Sequence, residues 1–189
     1  TDLINQGKVM YWGTSEFTAQ ELMEAHSVAR QYNLIPPTME QPQYNMFHRQ
    51  RFEVEYNRLY SEIGLGTTIW SPLASGVLTG KYNNGIPDDS RMALESYGWL
   101  RKMLESDEGQ SRLEKVRELT KVAEGLGASM AQLALAWTLK NPNVSTAITG
   151  ATKLSQIEDN LKAVDLVAQL TDDVMETIEG ILDNKPEPN

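Results

Sequence analysis

The chain has 189 residues, 40% of them hydrophobic and 23% charged, with a formal net charge of −9; that suffices for one domain with a core, and it argues against nonspecific binding to nucleic acid or an anionic membrane. With no cysteine there is no disulfide, no thiolate metal site and no cysteine nucleophile. No apolar run reaches the roughly 20 residues of a membrane span and nothing reads as a signal peptide, so a cytoplasmic protein that is not integral to a membrane is the expectation.

Residues 1–8 read as the end of a helix entering a strand, so the sequence is expected to begin inside a larger fold. Residues 9–12 form a short apolar strand. Thr18 with Glu21 makes a capping box, Phe17 and Leu22 a hydrophobic staple, and the helix they open runs to Tyr32. Pro36 and Pro37 break the chain before a strand at 38–41. A helix at 52–63 stops at Gly64, and a strand at 66–71 ends at Pro72. Residues 76–107, with Gly76, Gly80, Asn83-Asn84-Gly85 and Asp88-Asp89, read as a long loop packed down by Tyr97, Trp99 and Leu100.

Leu113, Val116, Leu119, Val122 and Ala123 then fall at helical spacing in a helix at 109–126, closed by Gly127. Ser129 and Gln132 box the start of a helix to Leu139. A strand at 144–149 precedes a helix boxed by Ser155 and Glu158. Thr171 caps a last helix through Leu182, and the tail at 186–189 is expected to fray. No low-complexity segment and no second domain is visible.

Four times an apolar stretch runs into polar residues and a helical pattern follows. The four ends are Tyr11-Trp12-Gly13-Thr14-Ser15, Glu40-Gln41-Pro42, Trp70-Ser71-Pro72-Leu73 and Thr149-Gly150-Ala151-Thr152. Parallel α/β proteins place ligand sites at such strand ends. Four units are half of an eight-unit barrel.

Trp70 offers a flat face for stacking, and Ser71 with the N–H groups after it can hold phosphate oxygens; the same residues read as a core tryptophan before a proline turn. Lys81 and Arg91 can neutralise a pyrophosphate or serve as plain surface cations. The turn Gly150-Ala151-Thr152-Lys153 suits a phosphate at a helix start, and Gln156, Asp159 and Asn160 can bond a ribose or adenine or face water. Ser15 and Gln41 suit a carboxamide-bearing ligand or form a satisfied polar pair. His26 and His48 make no metal cluster, and Asp88-Asp89 and Asp172-Asp173 read as loop and helix-cap charges.

Together with Glu40-Gln41-Pro42-Gln43-Tyr44-Asn45-Met46-Phe47, Gly80-Lys81-Tyr82, Gly85-Ile86-Pro87, Ser90-Arg91 and Ala131-Gln132-Leu133-Ala134, these motifs resemble the aldo-keto reductases over essentially the whole chain. Within them the chain is similar to the branch of the voltage-gated potassium-channel beta subunits. The resemblance implies a (β/α)8 TIM-barrel fold, with residues 1–189 the C-terminal part of one barrel domain and about units 5–8. It implies NADP(H) at the C-terminal face. Trp70 would stack on the nicotinamide, and Ser15 and Gln41 would hold its carboxamide. Ser71, Leu73, Ser75 and Lys81 would contact the pyrophosphate, with Arg91 nearby. Gly150, Thr152, Gln156, Asp159 and Asn160 would bind the adenosine end and its 2′-phosphate, although residues 156–162 lack the arginine that many members carry there.

The implied activity is reduction of an aldehyde or ketone. The alternative is a nucleotide-binding regulator of a channel alpha subunit, with slow or no turnover, and the branch suggests a homotetramer. The family's Asp, Tyr, Lys and His tetrad comes from units one to four, so no residue here is assigned a catalytic role and the chain alone is expected to be inactive. A half-barrel would leave sheet edges and a sheet face open, so an N-terminal half, in cis or as a second chain, is expected to complete it. An unrelated α/β scaffold without cofactor is the remaining alternative.

Overall fold

The computed structural model describes residues 1–187; the end of the expected frayed tail, Pro188 and Asn189, lies outside the described residues. The chain groups into two compact units. Among the described residues one comprises Thr1–Pro72, Asn141–Thr149 and 185–187, the other Leu73–Lys140 and Gly150–Asn184.

The first unit opens with α1 (Asp2–Asn5) and carries four strands, β1 (Gly13–Ser15), β2 (Met39–Gln41), β3 (Gly66–Ile69) and β4 (Thr146–Ala147). They lie in chain order and every neighbouring pair is parallel. Parallel neighbours need crossover connections, and α2 (Ala19–Gln31) and α3 (Asn57–Glu62) serve the first two. Thr18 and Glu21 form the predicted capping box, Glu21 N donating to Thr18 Oγ1 at 3.2 Å and Thr18 N to the Glu21 carboxylate at 2.7 Å. Below the sheet Leu22, Tyr56, Leu59 and Leu65 form an apolar cluster. Beside it Phe52 stacks on Tyr44 with ring centroids 4.1 Å apart, and Tyr60 OH donates to Phe52 O.

The strands expected at 66–71 and 144–149 are shorter, β3 ending at Ile69 and β4 holding only Thr146–Ala147, and two further expectations in this unit need correction. Residues 9–12 are not a strand: Met10 and Tyr11 are 83% and 73% exposed, and pairing begins where Trp12 O accepts from Thr38 N at 3.0 Å. Apolar character there does not signal burial. The helix expected at 52–63 is instead a π-helical turn, Arg51–Glu55, followed by α3. The wide turn accompanies the Phe52 side chain's stacking on Tyr44.

The second unit contains α4 (Gly98–Glu105), α5 (Asp107–Gly125), α6 (Met130–Lys140), α7 (Leu154–Leu161), α8 (Ala163–Leu166) and α9 (Asp172–Leu182). Every residue of α6 from Met130 to Thr138 is buried, because α5, α7 and α8 pack around it. An all-round apolar helix is what such a position selects. Ser129 and Gln132 cap its start as predicted, and Thr171 caps α9.

Two more corrections fall here. The long loop expected at 76–107 folds into short 3₁₀ turns and α4, which Arg101 ties down by donating to Met92 O and Ala93 O. Leu100 and Leu104 are its buried residues, whereas Trp99 is 62% exposed and does not pack the segment down. Helix α7 starts before Ser155, with Lys153 as its N-cap and the Gln156 carboxamide oxygen accepting from Thr152 N at 2.8 Å and Lys153 N at 3.3 Å. Among the described residues no helix is long and apolar enough to cross a membrane.

Candidate functional site at the strand ends

In the first unit the parallel register places Ser15 beside Gln41, and Ser15 Oγ donates to Gln41 O at 2.9 Å. The Gln41 carboxamide is half-buried and has no hydrogen-bond partner among the described residues. Side chains alternate along a strand, so Glu40 points the other way. It is fully buried, accepts from Thr14 Oγ1, and accepts from Phe17 N at 3.1 Å. Burial pushes the Glu40 carboxyl above its ordinary range, against the hydrogen bonds that hold the charge.

Trp70 follows β3 and is bridged to Gln43, with its N–H donating to Pro42 O and its carbonyl accepting from Tyr44 N. Its ring is half-exposed, and Nε1 donates to Glu16 Oε1 at 2.8 Å. Ser71 O accepts from the buried Asn45 carboxamide at 3.0 Å. The register and these bonds bring Ser15, Gln41, Trp70 and Ser71 to the strand ends of one sheet. Glu16 and Ser71 both have left-handed backbones, φ 62° and 55°. Non-glycine residues adopt that region only where their surroundings hold them there.

In the second unit Leu73 leads into a tight turn in which Ser75 and Gly76 are also left-handed, φ 55° and 95°. A Cβ on Gly76 would lie 3.0 Å from Lys81 Cε and 3.1 Å from its Nζ, so glycine lets the lysine fold back over the turn. Lys81 Nζ stands 5.0 Å from the Tyr82 ring and the Arg91 guanidinium 5.5 Å from the Tyr97 ring. Neither cation forms an ion pair among the described residues. Each is a positive charge, held over an aromatic ring, that an anion could meet.

Gly150 and Thr152 are exposed in the turn before α7. Lys153 Nζ pairs with Asp89 at 3.2 Å, joining that turn to the 80–91 segment. Two of the expected adenosine residues carry structural bonds. Gln156 caps α7, and Asp159 accepts from Ser129 Oγ at 2.9 Å and from Gln132 Nε2 at 2.6 Å, fastening α7 to the start of α6. Asn160 is half-buried and makes no such bond.

Sequence reasoning missed Glu16. Its carboxylate accepts from Trp70 Nε1, from Gln43 N at 2.6 Å and from Arg51 Nη1 at 2.6 Å. The available signal was a charged residue directly after a polar strand end.

Sequential parallel β-α units with polar C-terminal strand ends define this as part of a (β/α)8 barrel. The aldo/keto reductase family model matches residues 1–183, and the chain belongs to that family. It is 50% identical over 186 residues to a Schizosaccharomyces pombe protein that carries the name voltage-gated potassium channel subunit beta. The match takes in 98% of this chain and 54% of that protein, so the chain spans about half the length of its relative.

Proposed function

We propose that the chain is the cofactor-binding part of an NADP(H)-dependent oxidoreductase that reduces an aldehyde or ketone to an alcohol in the cytoplasm. In this reading residues 1–189 belong to one barrel domain. The observation that carries it is the strand-end group of the first unit: an unpartnered Gln41 carboxamide, the Ser15 hydroxyl beside it and the half-exposed Trp70 ring.

These groups fit a nicotinamide. A primary carboxamide needs one donor and one acceptor, and the Gln41 side chain supplies both. The Ser15 hydroxyl can turn from Gln41 O to the ligand, and the Trp70 face can stack on the ring. Ser71, Leu73, Ser75, Lys81 and Arg91 would hold the pyrophosphate, the two cations having no ion pair among the described residues. Gly150, Thr152, Gln156, Asp159 and Asn160 would serve the adenosine end. There Lys153 is the nearby cation in sequence, and residues 156–162 contain no arginine. NADPH, when bound, supplies the hydride. Side chains of this chain bind and orient; proton donation to the carbonyl oxygen is left to residues of the family tetrad, none of which is assigned here.

The name of the S. pombe relative favours a second reading, a regulator that binds NADP(H) and associates with a channel alpha subunit, as a homotetramer with slow turnover. Calorimetric titration of the full-length protein tests both. NADPH should bind saturably, and Gln41→Ala should weaken it about 3- to 10-fold, the net worth of about one hydrogen bond. Absence of saturable binding would overturn both readings. Saturable binding without carbonyl reduction would favour the regulator.

A further inference from the structure

We propose that Glu16 is a positioning residue that fixes the plane of the Trp70 indole for the cofactor; the inference rests on the reading above. Tryptophan has a single side-chain donor, Nε1–H. Whatever accepts from it decides how the ring is turned. Here the acceptor is Glu16 Oε1, at 2.8 Å.

The same oxygen accepts from Gln43 N at 2.6 Å, and Gln43 is the bridge partner of Trp70. One carboxylate oxygen therefore ties the indole to the chain segment that follows β2. The other oxygen, Oε2, accepts from Arg51 Nη1 at 2.6 Å, and Arg51 Nη1 also donates to Glu16 O at 3.2 Å. The carboxylate is thus held by donors from two other segments before it meets the indole. It cannot follow the ring if the ring turns.

Two features argue that this is more than local stabilisation. Glu16 keeps a left-handed backbone, φ 62°, which costs energy for a residue with a Cβ. Its side chain is also 39% exposed, where an ion pair contributes little. A strained residue in an exposed ion pair gains little for folding. Its contacts instead converge on the indole of Trp70, which stands with Ser15 and Gln41 at the strand ends of one sheet.

A double-mutant cycle on NADPH affinity, in the full-length protein, tests this. Glu16→Ala should weaken NADPH about 3- to 10-fold when Trp70 is present and less than about 2-fold in a Trp70→Phe background, because the bond it removes is then absent. Glu16→Gln keeps one oxygen for Trp70 Nε1 and Gln43 N but turns a donor NH2 toward Arg51, so it should recover part, not all, of the affinity that Glu16→Ala loses. Urea midpoints and far-ultraviolet dichroism of each variant report folding separately, and Glu16→Gln carries the test if Glu16→Ala unfolds. Equal losses in both backgrounds, or no rescue by glutamine, would overturn the role of Glu16 while leaving the cofactor reading intact. If wild type fails to bind NADPH, the cofactor reading itself fails and this inference fails with it; if wild type binds and Trp70→Phe leaves affinity unchanged, only the role of the indole and of Glu16 fails.

Discussion

Replacing Gly13 with alanine probes the contact on which the strand-end group depends. Gly13 is opposite Met39 in the parallel register, and an added Cβ would lie 2.5 Å from Met39 O, 2.1 Å from Met39 Sδ and 2.7 Å from Met39 Cγ. The sulfur and Cγ can swing away. The carbonyl oxygen cannot, because β2 is fixed between β1 and β3. Relief requires β1 to move by about 1 Å, which also disturbs the bonds Thr14–Glu40 and Ser15–Gln41. Overpacking of this kind costs about 1–3 kcal/mol. With a urea dependence of about 2–3 kcal/mol/M, the unfolding midpoint should fall by roughly 0.3–1.5 M. Adding Met39→Ala should recover only part of the loss, since the backbone oxygen remains. An unchanged midpoint, or complete recovery in the double variant, would refute the reasoning.

Gly109→Ala should destabilise the second unit by about 3 kcal/mol, because its Cβ would lie 2.3 Å from the carbonyl oxygens of both Leu104 and Met103; thermal melting followed by dichroism measures it. Gln132→Ala should cost about 1–3 kcal/mol by removing its carboxamide's bonds from Ser129 N and to Asp159 while the Ser129 hydroxyl still caps α6, read as a urea midpoint shift. Glu40 is buried with its folded pKa raised above 4.5, so its neutral form is favoured in the fold. The stability this gives is full below the unfolded value and lost as pH rises through the folded one. Wild-type stability minus that of Glu40→Gln should therefore fall as pH rises above the ordinary glutamate value, and a pH-independent difference would contradict it. Leu154, Ile157, Leu161 and Val164 expose an apolar stripe on α7 and α8, and Met10 and Tyr11 are exposed before β1. The 189-residue chain by itself should accordingly self-associate with concentration in sedimentation, whereas a monodisperse monomer would count against an open apolar face.

What could be read from the sequence was what is local. The boxes at Thr18 and Ser129 and the cap at Thr171 depend on residues three apart, and all three formed. Helix α6 was legible because its apolar run matches its burial. Where residues 9–12 were read as a strand, apolar side chains were exposed, and the ladder instead started at the glycine that tolerates a close neighbour. Helix α4 was hidden by the glycine at its start and by the surrounding turns. The start of α7 lies earlier than Ser155 because Gln156 reaches back to the N–H groups of Thr152 and of the N-cap Lys153, a bond that a serine at 155 does not make. Glu16 was invisible for a different reason: its bond to Trp70 spans 54 residues, and only the sheet brings them together. Likewise nothing local announces that Asp159 is already engaged by Ser129 and Gln132.

The most direct measurement is a crystal structure of the full-length protein grown with NADPH. The account predicts the nicotinamide stacked on Trp70 with its carboxamide bonded to Gln41 and Ser15, and the indole Nε1 still donating to Glu16. A nucleotide bound elsewhere, or none at saturating concentration, would contradict it.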